Sequence, residues 1–159
     1  MPELRKALED AGYDDIRTYL QSGNVVLTST ASAKKVAREC ERLIGDCFGL
    51  EIAVVARTRS ELAKVVDRNP LERVAKDPKR YQVSFLERKP ASKVVRELEE
   101  VATAREEVVS IGREIYAWHP AGVARSKLWA KLAGKNLGVT ATARNWTTVA
   151  KLLELADAD

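Results

Sequence analysis

Apolar positions recur at helical spacing from the start of the chain. Leu4, Ala7, Leu8 and Ala11 share one face, the period expected of an amphipathic helix. Pro2 suits its first turn, where a missing N–H costs nothing, and Gly12 suits the cap that ends it. The period then shortens to two. Ile16 to Leu20 reads as a strand, Gln21-Ser22-Gly23-Asn24 as a turn and Val25 to Thr28 as the return strand of a hairpin. Ser32 opens a longer helix reaching about Cys47, with Gly49 beyond it. Glu51 to Arg57, with Ile52, Val54 and Val55, reads as a third strand. Thr58 and Glu61 have capping-box spacing for a short helix that ends at Asn69-Pro70, and a polar connection follows to Lys79.

The second half repeats this grammar. Arg80 to Glu87 alternates as a strand, and Pro90 to Ala102 carries Val94, Val95, Leu98 and Val101 on one helical side. Val108 to Ile111 and Glu114 to Trp118 are strands flanking Gly112-Arg113. Ser126 starts a helix with Leu128, Trp129 and Leu132. Thr142 or Asn145 starts the last, with Trp146, Val149, Leu152, Leu153 and Ala156 on one stripe. The order is α-β-β-α-β, then β-α-β-β-α-α. The expected fold class is α+β, with two ferredoxin-like (β-α-β-β-α-β type) halves packed together. Residues 1–58 form an N-terminal half missing its first strand, 59–79 a connecting helix and loop, and 80–159 a C-terminal half with a basic helical end. The missing strand would be central, so its absence leaves open edges. The expectation is a late start, with a sheet closed over the gap or a strand from another chain as alternatives.

At 159 residues the chain fits one domain or two tightly packed halves. Its 45% hydrophobic and 31% charged residues exclude a disordered or collagen-like chain. No apolar run approaches the roughly 18 residues of a membrane span, and Met1-Pro2-Glu3-Leu4-Arg5-Lys6 has no signal-peptide core. A cytoplasmic protein without membrane partners, monomer or homodimer, is expected. Cys40 and Cys47 fall in one helix about 10 Å apart, too far to pair, and read as small buried hydrophobes. With one histidine and two cysteines, no metal site and no cofactor is expected.

Charge changes the picture more than composition does. The net +4 is unevenly spread: the first 118 residues carry 21 basic and 20 acidic side chains. Residues 119–151 carry Arg125, Lys127, Lys131, Lys135, Arg144 and Lys151 and no acid. The last eight residues carry Glu154, Asp157 and Asp159. A solvated helical face explains such a stretch; so does an anion site. Two helix starts are expected inside it, one at Ser126-Lys127 and one at Arg144-Asn145, and free N–H groups there suit phosphate or carboxylate. Trp129 and Trp146 lie on apolar stripes and read as core, while Trp118 ends a strand.

The segment Thr142-Ala143-Arg144-Asn145-Trp146-Thr147-Thr148-Val149-Ala150-Lys151-Leu152 resembles a bacterial family, the domain of unknown function numbered 1697. The hairpin Thr18-Tyr19-Leu20-Gln21-Ser22-Gly23-Asn24-Val25-Val26 and Arg125-Ser126-Lys127-Leu128 match further blocks, and the helix from Pro2 to Gly12 also fits. The resemblance implies a small two-part α+β protein and no established reaction, substrate or cofactor. Members usually begin with a strand and an Arg-Gly-Ile-Asn-type loop, and this sequence has neither. The matched blocks fall on Gln21, Ser22, Gly23, Asn24, Arg125, Ser126, Lys127, Thr142, Arg144, Asn145 and Trp146.

His119 precedes Pro120 at a strand end and reads as structural or exposed. No Ser/His/Asp set, HExxH or CxxC is present. Acidic pairs such as Glu106-Glu107 read as exposed. Ser22-Gly23-Asn24 satisfies a tight hairpin by itself, while Gln21 and Asn24 could present amides to a ligand. The expected function is binding of an anionic ligand, nucleic acid or a nucleotide, through residues 119–151. The alternative is an enzyme acting on a phosphorylated or polar small molecule in a cleft between the halves. The candidate ligand residues are Arg125, Ser126, Lys127, Thr142, Arg144, Asn145, Gln21, Ser22 and Asn24; no catalytic residue is assigned.

Overall fold

A computed structural model of the chain describes residues 2–19, 23–103, 105–133 and 137–157. Helix α1 (Pro2–Asp10) leads into a hairpin of β1 (Asp14–Thr18) and β2 (Val25–Thr28), and helix α2 (Ala33–Phe48) follows. Ser32 caps α2 by accepting the Lys35 N–H, and Gly49 ends it in the left-handed conformation (φ 65°) that a side chain would strain. Helix α3 (Arg59–Arg68) starts at a reciprocal box: Thr58 N–H donates to Glu61 Oε1 at 2.8 Å, and Glu61 N–H to Thr58 Oγ1 at 3.1 Å. After a single 3-10 turn (Pro78–Arg80) come β3 (Tyr81–Leu86), α4 (Ser92–Val101), β4 (Glu107–Ile111), β5 (Glu114–Trp118), α5 (Lys127–Ala133), β6 (Ala141–Asn145) and α6 (Trp146–Asp157). The fold is mixed α+β with two antiparallel sheets. Among the described residues, no helix is long and apolar enough to cross a membrane.

The chain divides into two compact units, Met1–Leu62 with Lys151–Asp159, and Ala63–Ala150. The first has a two-stranded sheet, β1-β2, and a core of Leu4, Leu8, Tyr13, Ile16 and Leu43. Glu51 to Arg57, expected as a third strand, joins neither sheet. Alternation of Ile52, Val54 and Val55 supplies strand propensity but no neighbour to pair with, and propensity without pairing does not make a strand. Ile52 stays 49% exposed. Cys47 is also exposed, contrary to the reading of it as buried, because the apolar stripe of α2 turns outward in its last turn, where Phe48 too is exposed.

The second unit holds a four-stranded sheet in the order β4-β5-β3-β6. β3 lies between two antiparallel partners, Val83 opposite Tyr116 on one side and Arg144 on the other, which is why every residue of β3 is buried. One face carries Leu86, Ile115 and Ala117 into a core with Leu98 of α4 and Leu128 and Leu132 of α5. The other carries Tyr81, whose ring stacks on Trp146 at 4.7 Å, and Tyr116, whose hydroxyl donates to the Val65 carbonyl at 3.0 Å.

Candidate functional site

The chain leaves β5 at Trp118 and turns immediately. His119 N–H donates to the Arg80 carbonyl at 3.0 Å, and Gly122 N–H donates to the His119 carbonyl at 2.8 Å. These bonds fold 119–126 into a loop that delivers Ser126 to the start of α5. There Ser126 Oγ accepts the Trp129 N–H at 3.0 Å, the capping bond a serine makes at a helix start. Facing the loop is Glu106, on the connection into β4. It makes a reciprocal pair with the Thr103 backbone: Thr103 N–H donates to the Glu106 side-chain Oε1 at 3.2 Å, and Glu106 N–H donates to the Thr103 carbonyl at 3.1 Å.

One carboxylate oxygen gathers the rest. Glu106 Oε2 lies 2.7 Å from His119 Nδ1 and accepts the Ser126 hydroxyl at 2.6 Å. The His119 side chain is fully buried and that of Glu106 is 6% exposed. An ionised carboxylate only accepts, so the ring proton sits on Nδ1. Nε2 then turns a lone pair inward and has no hydrogen-bond partner. The Trp129 ring stands perpendicular to the imidazole, 5.9 Å between centroids. Burial works to raise the Glu106 pKa, but the bonds from Ser126, His119 and the Thr103 N–H outweigh it and hold the carboxyl below its ordinary value. This is not a serine–histidine relay. Ser126 Oγ lies 3.3 Å from His119 Nδ1, but that nitrogen carries the proton, serine and histidine both donate to the same carboxylate oxygen, and the distal ring nitrogen has no partner.

Beside the cluster runs a groove of about 710 Å³, lined by Arg105, Glu106, Pro120, Ala121, Gly122, Ala124, Arg125 and Ser126, with Thr103 at its edge. Its walls are mostly small apolar groups, and both arginines are exposed. Arg80 lies alongside, its guanidinium donating to the Pro120 carbonyl.

The residues singled out in the sequence therefore separate. Arg125 and Ser126 meet at the groove, and Lys127 is exposed next to them. Arg144 does not start a helix: it and Thr142 lie in β6, and α6 begins at Trp146. The β-pairing of 141–145 with β3 takes precedence over the helix-start signal. Arg144 Nη1 donates to Thr142 Oγ1 at 2.6 Å and to the Ala143 carbonyl at 2.8 Å, and burial pushes its pKa down. Asn145 Oδ1 accepts the Thr148 N–H at 2.9 Å and caps α6. Asn24 is buried in the hairpin, its Nδ2 donating to the Tyr19 carbonyl at 3.1 Å. Gln21 and Ser22 lie outside the described residues.

The basic stretch breaks up in the same way. Lys131 pairs with Glu97 at 3.1 Å and Lys151 with Glu154 at 3.3 Å, Arg144 is half-buried, and Lys135 lies outside the described residues. Glu106, read as exposed, proves to be the centre of the buried cluster, and Arg105, outside the acid-free stretch, joins Arg125 at the groove. The signals were present: Glu106 stands three residues after Thr103, and a lone histidine at a strand end needs an acceptor once it is buried. Among the described residues, no three histidine, cysteine or acidic side chains are grouped to hold a metal ion.

The arrangement defines a two-unit α+β protein with a small arginine-lined groove in its second unit. The chain belongs to the family described as "Protein of unknown function (DUF1697)", whose model matches residues 1–116. Its fold is similar to that of the conserved bacterial protein SP0830 from Streptococcus pneumoniae, with a TM-score of 0.72 at 18% identity, over 99% of this chain and 88% of that one. No curated protein matches.

Proposed function

We propose that the protein binds a small ligand with a single anionic head, phosphate or carboxylate, in the groove between Arg105 and Arg125. The observation that carries this reading is the pairing of two exposed guanidiniums on one apolar-walled groove of about 710 Å³. That volume falls within the roughly 300–1,000 Å³ of small-molecule sites. Arginine is the side chain whose planar fork matches carboxylate and phosphate oxygens two at a time. A polymer of phosphates calls for a row of available cations, whereas Lys131 and Lys151 are already paired with acids and Arg144 is half-buried. Nucleotide-sized ligands therefore fit better than nucleic acid.

Calorimetric titration with phenyl phosphate and benzenesulfonate tests this. Saturable binding is expected, weakened about tenfold, or ~1.4 kcal/mol, in the Arg105→Ala/Arg125→Ala double variant. Absence of saturation at low salt would sink the reading. So would tighter binding of single-stranded nucleic acid with a salt slope of several phosphates.

For the second unit we also propose the ferredoxin-like arrangement. Its support is the order β4-β5-β3-β6, in which the first strand of the unit lies between the third and the last. A crystal structure with another strand order would overturn it.

A further inference from the structure

The groove contains a charge that opposes its ligand. Arg105 and Arg125 line it, and so does Glu106, which leaves one net positive charge where two guanidiniums stand. An anion seated between the arginines lies against the wall to which the carboxylate belongs. The group best placed to relieve that repulsion is His119. Its Nδ1 is 2.7 Å from the carboxylate, and its Nε2 is a fully buried nitrogen with no hydrogen-bond partner. A proton arriving at Nε2 turns the pair from a net negative charge into a neutral imidazolium–carboxylate pair. Trp129 packs perpendicular to the imidazole, 5.9 Å between centroids. Further charged groups near this loop are Arg80, held at the Pro120 carbonyl and 3.6 Å from Asp77, and Lys127, exposed beyond Ser126.

We propose that binding of an anion in the groove draws one proton on to the Glu106–His119 pair, so that affinity rises as pH falls. This rests on the groove reading above and adds its regulation. Linkage is reciprocal: a ligand that raises the proton affinity of the pair is bound more tightly where protons are abundant. Capture is thereby favoured in an acidified compartment and release in a more basic one.

His119 is the only histidine in the chain, so its ring can be followed without assignment by labelling histidine with ¹⁵N. The ligand is benzenesulfonate, whose charge is constant across the range, so any pH dependence belongs to the protein. Between pH 8 and pH 6, Kd is expected to tighten by up to about tenfold per unit. At saturation the Nε2 signal moves from the bare to the protonated range. Saturable binding with a pH-independent Kd and an unmoved Nε2 signal would overturn the proton link and leave the groove standing. No saturable binding at any pH would remove the groove, and the link with it.

Discussion

Removing the Glu106 carboxylate tests the cluster as a structural device, separately from any ligand. Three donors converge on it: the Ser126 hydroxyl at 2.6 Å, His119 Nδ1 at 2.7 Å and the Thr103 N–H at 3.2 Å. Hydrogen bonds to a charged group contribute about 1.5–3 kcal/mol each, and their losses do not add fully because water and side chains rearrange. In Glu106→Ala the neutral histidine stays buried with Nε2 unpaired and only Ser126 Oγ, 3.3 Å away, beside Nδ1, and an unsatisfied buried donor or acceptor costs about 1–3 kcal/mol. A loss near 3 kcal/mol is expected, which for a chain of this size lowers Tm by roughly 6–12 °C. The pH dependence has a definite sign. Bonds from Ser126 and His119 depress the folded-state pKa of Glu106 in spite of its burial. Its stabilisation is therefore present above the unfolded carboxyl pKa and is lost as pH falls through the lower folded value. Urea denaturation of the wild type and the variant at pH 7 and at pH 3 measures both. The gap should be wider at pH 7 than at pH 3. A gap under about 1 kcal/mol at pH 7, or one that does not change with pH, would refute the reasoning.

Two further outcomes follow from packing and exposure. Leu98 is fully buried among Leu86, Ile115 and Leu128, so Leu98→Ala should cost about 2–5 kcal/mol by denaturant unfolding, and a cost under 1 kcal/mol would contradict that core. Cys47 is exposed, while burial, with Glu39 and Glu41 nearby, pushes the Cys40 thiol up. An aromatic disulfide reagent should modify one thiol per native chain rapidly at pH 8 and the second only on unfolding; two fast thiols would contradict it.

The sequence announces its elements where local chemistry decides them. Thr58 and Glu61 form the capping box that their spacing predicts, and Gly49 ends α2 where a residue without Cβ was expected. It fails where a distant partner decides. Glu51 to Arg57 has the alternation of a strand, but pairing depends on a neighbour that its own residues cannot supply. Arg144 reads as a helix start because Asn145 is a good cap. The cap is real, yet β3 claims the preceding residues as β6. The site was half legible for the same reason. Arg125 and Ser126 are neighbours in sequence, whereas Glu106 and His119 come together only through the path of β4 and β5. An acid–acid pair such as Glu106-Glu107 looks solvated until the fold turns one of the two inward.

The division of the chain bears on how it is made. The second unit is continuous, Ala63–Ala150, while the first is completed by Lys151–Asp159. Within the first unit, the Arg17 guanidinium donates to the Leu155 carbonyl and Arg59 pairs with Asp157. As the polypeptide leaves the ribosome, both arginines emerge long before their acceptors. At about 5–20 residues per second, the intervening stretch of the second unit takes roughly 4–18 seconds to synthesise. The earlier-born unit thus waits on the later one, and its final contacts close only after translation has passed the other unit entirely.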